Sequence, residues 1–353
     1  MTSDSAPIEI LLRLSLVEGV TARHLRLLRM ADRTPPLPRA SGDAGQSIFR
    51  RAIEALTSRE AGERATRILE TCGKAGIRMI PLGSGDYPAA LRPIPDAPLV
   101  LYRAGGGVPW ENSVAVVGSR APTTPGLEFA GELASDLGAA GWTVVSGMAR
   151  GIDPAAHEGA LRGGGKTAAV LGCGVDVVYP PEAGRLRSRI LEQGALLSEY
   201  PPGILPLPRH FPARNRIISG ISRGVVVVEA PSRSGALITA QLALDQGREV
   251  MAVPGNPLFP HTAGSNRLLR EGAAPVTGAG DVIEALGWTC RIAAGESRER
   301  RILGFLSRPR HVGEIAEVLG IPPPELLPCL LEMEFMKLLE RSAGDYYKKM
   351  SSR

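Results

Sequence analysis

Between residues 113 and 253 the chain repeats one pattern six times: a short, apolar, β-branched run closed by small or polar residues. The runs lie at 113–117, 142–145, 167–171, 195–197, 225–228 and 250–253, and segments with helical spacing separate most of them, at 126–139, 154–162, 182–193 and 237–246. Runs that are apolar at every position, rather than at alternate ones, suit strands buried on both faces. Their alternation with amphipathic helices predicts an α/β fold built on a doubly wound, mostly parallel sheet.

The strand ends carry the functional expectation. They read Gly118-Ser119-Arg120, Ser146-Gly147-Met148-Ala149-Arg150-Gly151, Gly172-Cys173-Gly174, Ser198-Glu199-Tyr200, Glu229-Ala230-Pro231 and Pro254-Gly255-Asn256. In open α/β sheets ligands bind beyond the carboxyl ends of the strands. Six ends of this kind form a crest where backbone N–H groups can meet an anion without side-chain obstruction.

Flanking the sheet, residues 8–16 and 21–30 have helical spacing around Glu18-Gly19-Val20, a layout shared by helix-hairpin-helix phosphate binders and by ordinary helix pairs. Residues 31–46 read as a loop, 47–75 as further helix and 77–81 as a strand. Gly105-Gly106-Gly107 reads as a domain boundary. After a linker, residues 302–306, 312–319, 323–336 and 338–347 read as three helices and a hairpin, the layout of a winged helix. Its third helix, Pro322-Pro323-Pro324-Glu325-Leu326-Leu327 through Glu332-Met333-Glu334, is apolar and acidic, which suits a protein contact better than a base-reading helix.

Composition narrows the classes. The four cysteines, Cys72, Cys173, Cys290 and Cys329, form no CxxC pair, which argues against a disulfide framework or a thiolate zinc site and for a reducing compartment. No apolar stretch approaches the ~20 residues of a membrane span, and residues 1–7 lack the basic start of a secretory signal, so the expected location is cytoplasmic. Net charge is +5, yet residues 106–289 hold 15 basic and 16 acidic side chains. Within that near-neutral block, Arg209, Arg214, Arg216, Arg223 and Arg233 share a stretch whose only acid is Glu229. Such a local cluster suits phosphate groups or a solvated basic face.

Several short motifs fail on context. Gly165-Lys166-Thr167 lacks the first glycine of a P-loop, where Ala160 stands, and precedes a strand rather than following one. Gly220-Ile221-Ser222-Arg223-Gly224 fits a nucleophile elbow in letters only, because a helix leads into the strand there. Gly172-Cys173-Gly174 lacks the third glycine of a dinucleotide site. The five histidines show no zinc spacing, so no metal and no cofactor are expected. His157 follows Asp153 by one helical turn and could hydrogen-bond it.

The segment 200–222, read as a loop, is the strongest local signal. Its prolines make the early part stiff, and Arg209-His210-Phe211-Pro212-Ala213-Arg214-Asn215-Arg216 then interleaves cations with an aromatic ring. Single-strand binders combine phosphate-tracking charges with rings that stack bases. At this stretch the chain resembles the DNA-processing protein A (DprA, also called Smf) family. The resemblance rests on Val116-Val117-Gly118-Ser119-Arg120, Ser146 to Asp153 with Ala156-His157, Ser198-Glu199-Tyr200-Pro201-Pro202-Gly203, Phe211-Pro212-Ala213-Arg214-Asn215-Arg216-Ile217-Ile218-Ser219-Gly220, Ser234-Gly235-Ala236-Leu237-Ile238-Thr239-Ala240 and Val253-Pro254-Gly255, with Tyr87-Pro88 and Tyr179-Pro180 besides.

The resemblance implies an extended Rossmann-like domain, with a helical sterile-alpha-motif-like module before it and a winged helix after it. The expected boundaries are 1–82, 83–289 and 290–353. It further implies a homodimer that binds single-stranded DNA without sequence preference and helps load the RecA recombinase during natural transformation. A binder rather than an enzyme is implied. Carried over by position, Arg120 should grip phosphate and Arg214 and Arg216 should line the strand path, with Gly118, Ser119 and Asn215 as neighbouring DNA-binding positions; Arg209 is added to the path from the residues themselves, not from the resemblance. Gly203 to Phe211 should shape a base pocket, and Gly147, Arg150, Gly151, Ser234 and Gly235 match further motif positions. A rival class is an enzyme or sensor acting on a nucleotide, since the fold is also similar to lysine-decarboxylase-like phosphoribohydrolases. The loop that carries their PGGxGTxxE motif is here Pro231 to Ala240, with no acid after Thr239 at the needed offset, and Glu229 could replace it only in another geometry.

Overall fold

A computed structural model describes residues 8–17, 20–22, 25, 43–287, 298–306 and 308–350. The expected second N-terminal helix and its glycine hinge fall largely outside these residues, as does Cys290.

Nine strands form one sheet. In chain order they are β1 (Arg78–Pro81), β2 (Val100–Gly105), β3 (Ser113–Val117), β4 (Thr143–Ser146), β5 (Thr167–Leu171), β6 (Ala195–Ser198), β7 (Gly224–Val227), β8 (Glu249–Ala252) and β9 (Ala274–Pro275). Their order across the sheet is β1-β2-β6-β5-β4-β3-β7-β8-β9. From β6 to β9 every pairing is parallel, whereas β1 and β2 join antiparallel at one edge. The sheet is therefore mixed but dominated by parallel pairs, as expected. Chain order runs outward from β3 to β6 on one side and from β7 to β9 on the other, so the direction of winding reverses between β3 and β7.

Period-two alternation feeds two layers of core. Val114 and Val116 of β3 join one apolar cluster with α4 (Thr124–Ala139), α5 (Ile152–Arg162) and α10 (Ala279–Ala285). Ala115 and Val117 join the opposite cluster with α7 (His210–Ile221), α8 (Gly235–Asp245) and α9 (Ala263–Arg270). A third cluster ties β2 and α6 (Gly184–Gln193) to the N-terminal helices α1 (Ile8–Ser15), α2 (Asp43–Thr57) and α3 (Arg59–Ala75).

Three expectations are corrected. The triple glycine does not divide domains: Gly105 ends β2, which hydrogen-bonds to β6 inside the sheet. The loop expected over 31–46 gives way to helix at Asp43. The arginine-rich segment is a loop only to residue 209, because α7 starts at His210 with Pro212 in its first turn, where proline costs no hydrogen bond.

The C-terminal module holds α11 (Arg298–Phe305), β10 (Arg310–His311), α12 (Val312–Leu319), α13 (Pro323–Phe335), β11 (Leu339–Ser342) and β12 (Tyr346–Lys349), with strand order β10-β12-β11. This is the winged-helix layout. Arg310 anchors it to the main sheet: the guanidinium bonds Asp136 on α4 and Glu314 on α12, and lies 4.6 Å from the Phe305 ring centroid. Its third helix, α13, exposes Leu327, Leu331 and Glu332.

Candidate nucleic-acid interface

Where the winding reverses, neighbouring loops diverge and leave a crevice. A cavity of about 650 Å³ occupies this position, between the loop after β3 (Gly118, Ser119, Arg120, Ala121) and the segment after β7 (Pro231, Arg233, Ser234, Gly235). The first turn of α7 closes one side with Phe211, Pro212, Arg214 and Asn215.

The floor is set by a buried network. Arg214 is 3% exposed. Its Nη1 donates to the carbonyls of Gly147 (2.5 Å) and Val170, and its Nε donates to Asn215 Oδ1 at 3.2 Å. Burial pushes its pKa down to about 10, against the pull of Asp153. Asp153 is also buried, which raises its pKa, while Arg214 and the Ala149 N–H (2.9 Å to Oδ2) favour its charge. Gly147 permits this packing, because a Cβ there would sit 2.6 Å from the Arg214 guanidinium and 2.8 Å from the Asp153 carboxylate. Gly151, at φ +85°, lets the start of α5 press against the β3 loop, where a Cβ would run into the Ser119 carbonyl. The Ile152 N–H then bonds that same carbonyl at 3.2 Å.

The walls are cationic and aromatic. Arg120 is exposed, has no ion pair among the described residues, and its guanidinium lies 5.7 Å from the Phe211 ring centroid. Phe211 in turn tilts against Tyr179, with centroids 5.4 Å apart. Arg233 is likewise exposed, immediately before α8. Ser234 caps that helix by accepting from the Ala236 N–H at 3.2 Å, so the positive end of α8 opens beside Gly235. Two guanidinium groups with no ion pair among the described residues, a helix N-terminus and a pair of tilted rings thus face one space. They can hold phosphate oxygens and an unpaired base together.

Of the expected site residues, Gly118, Ser119, Arg120, Phe211, Arg214, Asn215, Ser234 and Gly235 line this cavity. Arg214 lines it from below: two carbonyls take Nη1 and Asn215 takes Nε, an arrangement that braces the floor as well as bordering the expected strand path. Arg216 is held inside the fold: Glu199 takes it bidentately (both 2.7 Å) and Asp96 approaches its Nε at 3.0 Å, leaving the side chain 12% exposed. Arg150, Gly203 and Arg209 lie on the same rim outside the cavity. Arg150 pairs with Glu182 at 2.6 Å, the Gly203 N–H bonds Asp176, and Arg209 is exposed at the start of α7. Gly147 and Gly151 shape the floor rather than line the space.

Sequence reasoning passed over Tyr179 as a lining residue, and kept Arg233 only as part of the arginine cluster. Tyr179 belongs to the motif block Tyr179-Pro180 and Arg233 directly precedes the block that begins Ser234-Gly235, which was the available signal. His157 pairs with Thr167 (2.7 Å), not with Asp153. Because Thr167 Oγ1 donates to the Val144 carbonyl, His157 Nδ1 must carry the proton. Burial lowers its pKa to about 3, with Arg214 adding to the effect. Glu229 accepts from Thr123 N (2.9 Å) and Thr123 Oγ1 (2.5 Å), which fastens the start of α4. Among the described residues no cluster of three or more His, Cys, Asp or Glu side chains is placed to hold a metal, and no helix is long and apolar enough to cross a membrane.

Comparison with known proteins points the same way as the geometry. The family model for DNA recombination-mediator protein A matches residues 78–287, and that for the DprA winged helix domain matches residues 291–345. DNA processing protein DprA of Bacillus subtilis is 38% identical over 247 residues, covering 68% of this chain and 83% of the relative. Its Streptococcus pneumoniae counterpart is 47% identical over 198 residues, covering 56% and 70%. Among solved structures, S. pneumoniae DprA superposes with a TM-score of 0.64 at 36% identity, over 79% of this chain and 98% of that one. DprA of Helicobacter pylori, solved to describe its single-stranded DNA binding mode, gives 0.54 at 29% identity, over 60% and 95%.

Proposed function

The chain belongs to the DNA recombination-mediator protein A family, and on that footing we propose that it binds single-stranded DNA along the crest and acts by binding rather than by catalysis. The observation that carries this reading is Arg120: an exposed guanidinium with no carboxylate partner among the described residues, set beside Phe211 in a cavity shared with Arg233. Arg120 and Arg233 take phosphates, the N–H groups at Ser234 and Gly235 supply neutral donors, and Phe211 with Tyr179 offers ring faces to a splayed base; the Ser119 N–H is held by the Glu229 carbonyl (2.7 Å) and fixes the β3 loop instead. Asn215 borders the same space. Arg209 and Arg150 extend the basic rim, while Arg214, Gly147 and Gly151 hold the loops in place. Nothing in this set reads base edges in a duplex groove, so binding is indifferent to sequence.

In the cell, the protein protects incoming single strands as a cytoplasmic homodimer and helps load RecA during natural transformation. The apolar and acidic surface of α13 supports a protein contact for the winged helix rather than a grip on phosphate. Anisotropy titrations with a labelled dT oligonucleotide, a mixed-sequence strand and a duplex of equal length test the core of the proposal. The two single strands are expected to titrate alike and the duplex much more weakly. Preference for duplex, or no binding to any of the three, overturns it.

A further inference from the structure

A second cavity, of about 590 Å³, opens on the rim opposite the crest. Trp110 and Glu111 precede β3 and Arg223 precedes β7, at the amino-terminal ends of the strands whose carboxyl ends build the crest. Gly107 reaches the same rim because β2 runs antiparallel, with Gly105 opposite Ala195, the first residue of β6. Arg103 of β2 and Arg92, which follows the short turn Ala89–Leu91, complete the wall.

Three guanidinium groups therefore face one space, and none has an ion pair among the described residues. Arg92 donates to the carbonyls of Ser84 (2.7 Å) and Tyr87 (3.3 Å). Arg223 donates to the Leu286 carbonyl (2.7 Å) and lies 5.8 Å from the Trp142 ring centroid. Arg103 has its Nε buried with no hydrogen-bond partner. Of the two acids on the wall, Asp86 is engaged by Arg78 and Glu111 is exposed at the mouth. Arg103 is half-buried, and its charge is opposed by burial and by Arg78 with only Asp86 acting in its favour. Three cations against two acids, one of them already engaged, leave the wall short of negative charge. The half-buried indole of Trp110 adds an aromatic surface beside it.

We propose that this cavity binds a nucleotide unit, with its phosphate held by Arg92, Arg103 and Arg223 and its planar base against Trp110. The inference does not rest on the reading of the crest. The unit has two possible sources, a free mononucleotide or a polynucleotide that continues round the edge of the sheet, and the shared chemistry is the same for both.

Tryptophan emission from the full chain reports occupancy, with Trp110→Phe as the control that removes the reporting ring. Thymidine monophosphate is expected to quench the wild type and not Trp110→Phe, and thymidine without phosphate is expected to do far less. Arg103→Ala should weaken the effect about tenfold, the scale of one lost charged contact. Arg103→Lys should restore part of it, and Arg92→Ala, on the surface turn, should weaken it without disturbing the sheet. An oligonucleotide that quenches at far lower concentration than the monophosphate, and loses that advantage in Arg120→Ala, identifies the source as a strand bridging both rims. A monophosphate that quenches while the oligonucleotide does not identifies a free nucleotide. No quenching by either probe at millimolar concentration, or equal quenching in wild type and both Arg103→Ala and Arg92→Ala, overturns the proposal.

Discussion

The arginines near the crest show how little a residue's identity says before its surroundings are known. Arg120, Arg214 and Arg216 all sit in motif blocks, but of the three only Arg120 has no carboxylate or carbonyl partner among the described residues. Replacing Arg214 by Ala removes a buried cation, frees two carbonyls and leaves the Asp153 carboxylate uncompensated. Stability should fall by about 3–5 kcal/mol, read from urea unfolding. His157 makes a separate claim at this scale. Its pKa in the folded chain, about 3, lies below the ordinary 6.5, so between these values the unfolded state binds the extra proton. Stability should therefore decline as pH falls from about 6.5 toward 3, by up to ~1.4 kcal/mol per pH unit from this group. In His157→Gln that part of the slope should vanish, whatever the variant's absolute stability; an unchanged slope would contradict the burial of a neutral imidazole.

Elements were legible where one local cause dominated. All six strand runs exist because β-branched residues fill positions buried on both faces, and the helices between them start and stop within a few residues of the pattern. Strand β2 was missed: its outer half is only partly buried and Gly105 closes it, so a strand end resembled a linker. Helix α7 was read as part of a loop because Pro201, Pro202, Pro206 and Pro208 exclude helix early in the segment; they do precede it, but the helix starts directly after them, with Pro212 where an N–H has no helical partner anyway. The crest glycines were legible as a set and not as individuals. Whether a glycine meets a ligand or another loop depends on packing between segments far apart in sequence. Gly151 is of the second kind, and Gly151→Ala should both strain the backbone and push the β3 loop away. Thermal unfolding should shift down and binding of dT oligonucleotide should weaken together. At α8, Ser234→Ala should cost about 1 kcal/mol of stability through the lost cap.

At the scale of the whole molecule, the net charge of +5 is a poor guide, because neither rim of the sheet owes its character to the sum. What matters is which cations are left without internal partners. Arg310 is the opposite case: at 1% side-chain exposure against 4% for Asp136, it joins the winged helix to the main sheet. Burial raises the pKa of Asp136 to about 7 even with Arg310 beside it, so removing Arg310 alone strands a costly group. Arg310→Ala should lower stability by about 3–5 kcal/mol. The double variant Asp136→Asn with Arg310→Met should recover much of that loss, and failure to recover would place the cost elsewhere in the interface. The central claim, that Arg120 and Arg233 meet the phosphates of an unpaired strand, is tested most directly by how log affinity for dT oligonucleotide varies with log salt. Each phosphate contact on a single strand contributes ~0.7 to that slope. Arg120→Ala and Arg233→Ala should each flatten the line by about this amount, whereas substitution of Arg59, far along the chain on α3, should leave it as steep as in the wild type. Parallel lines for all four proteins would contradict the account.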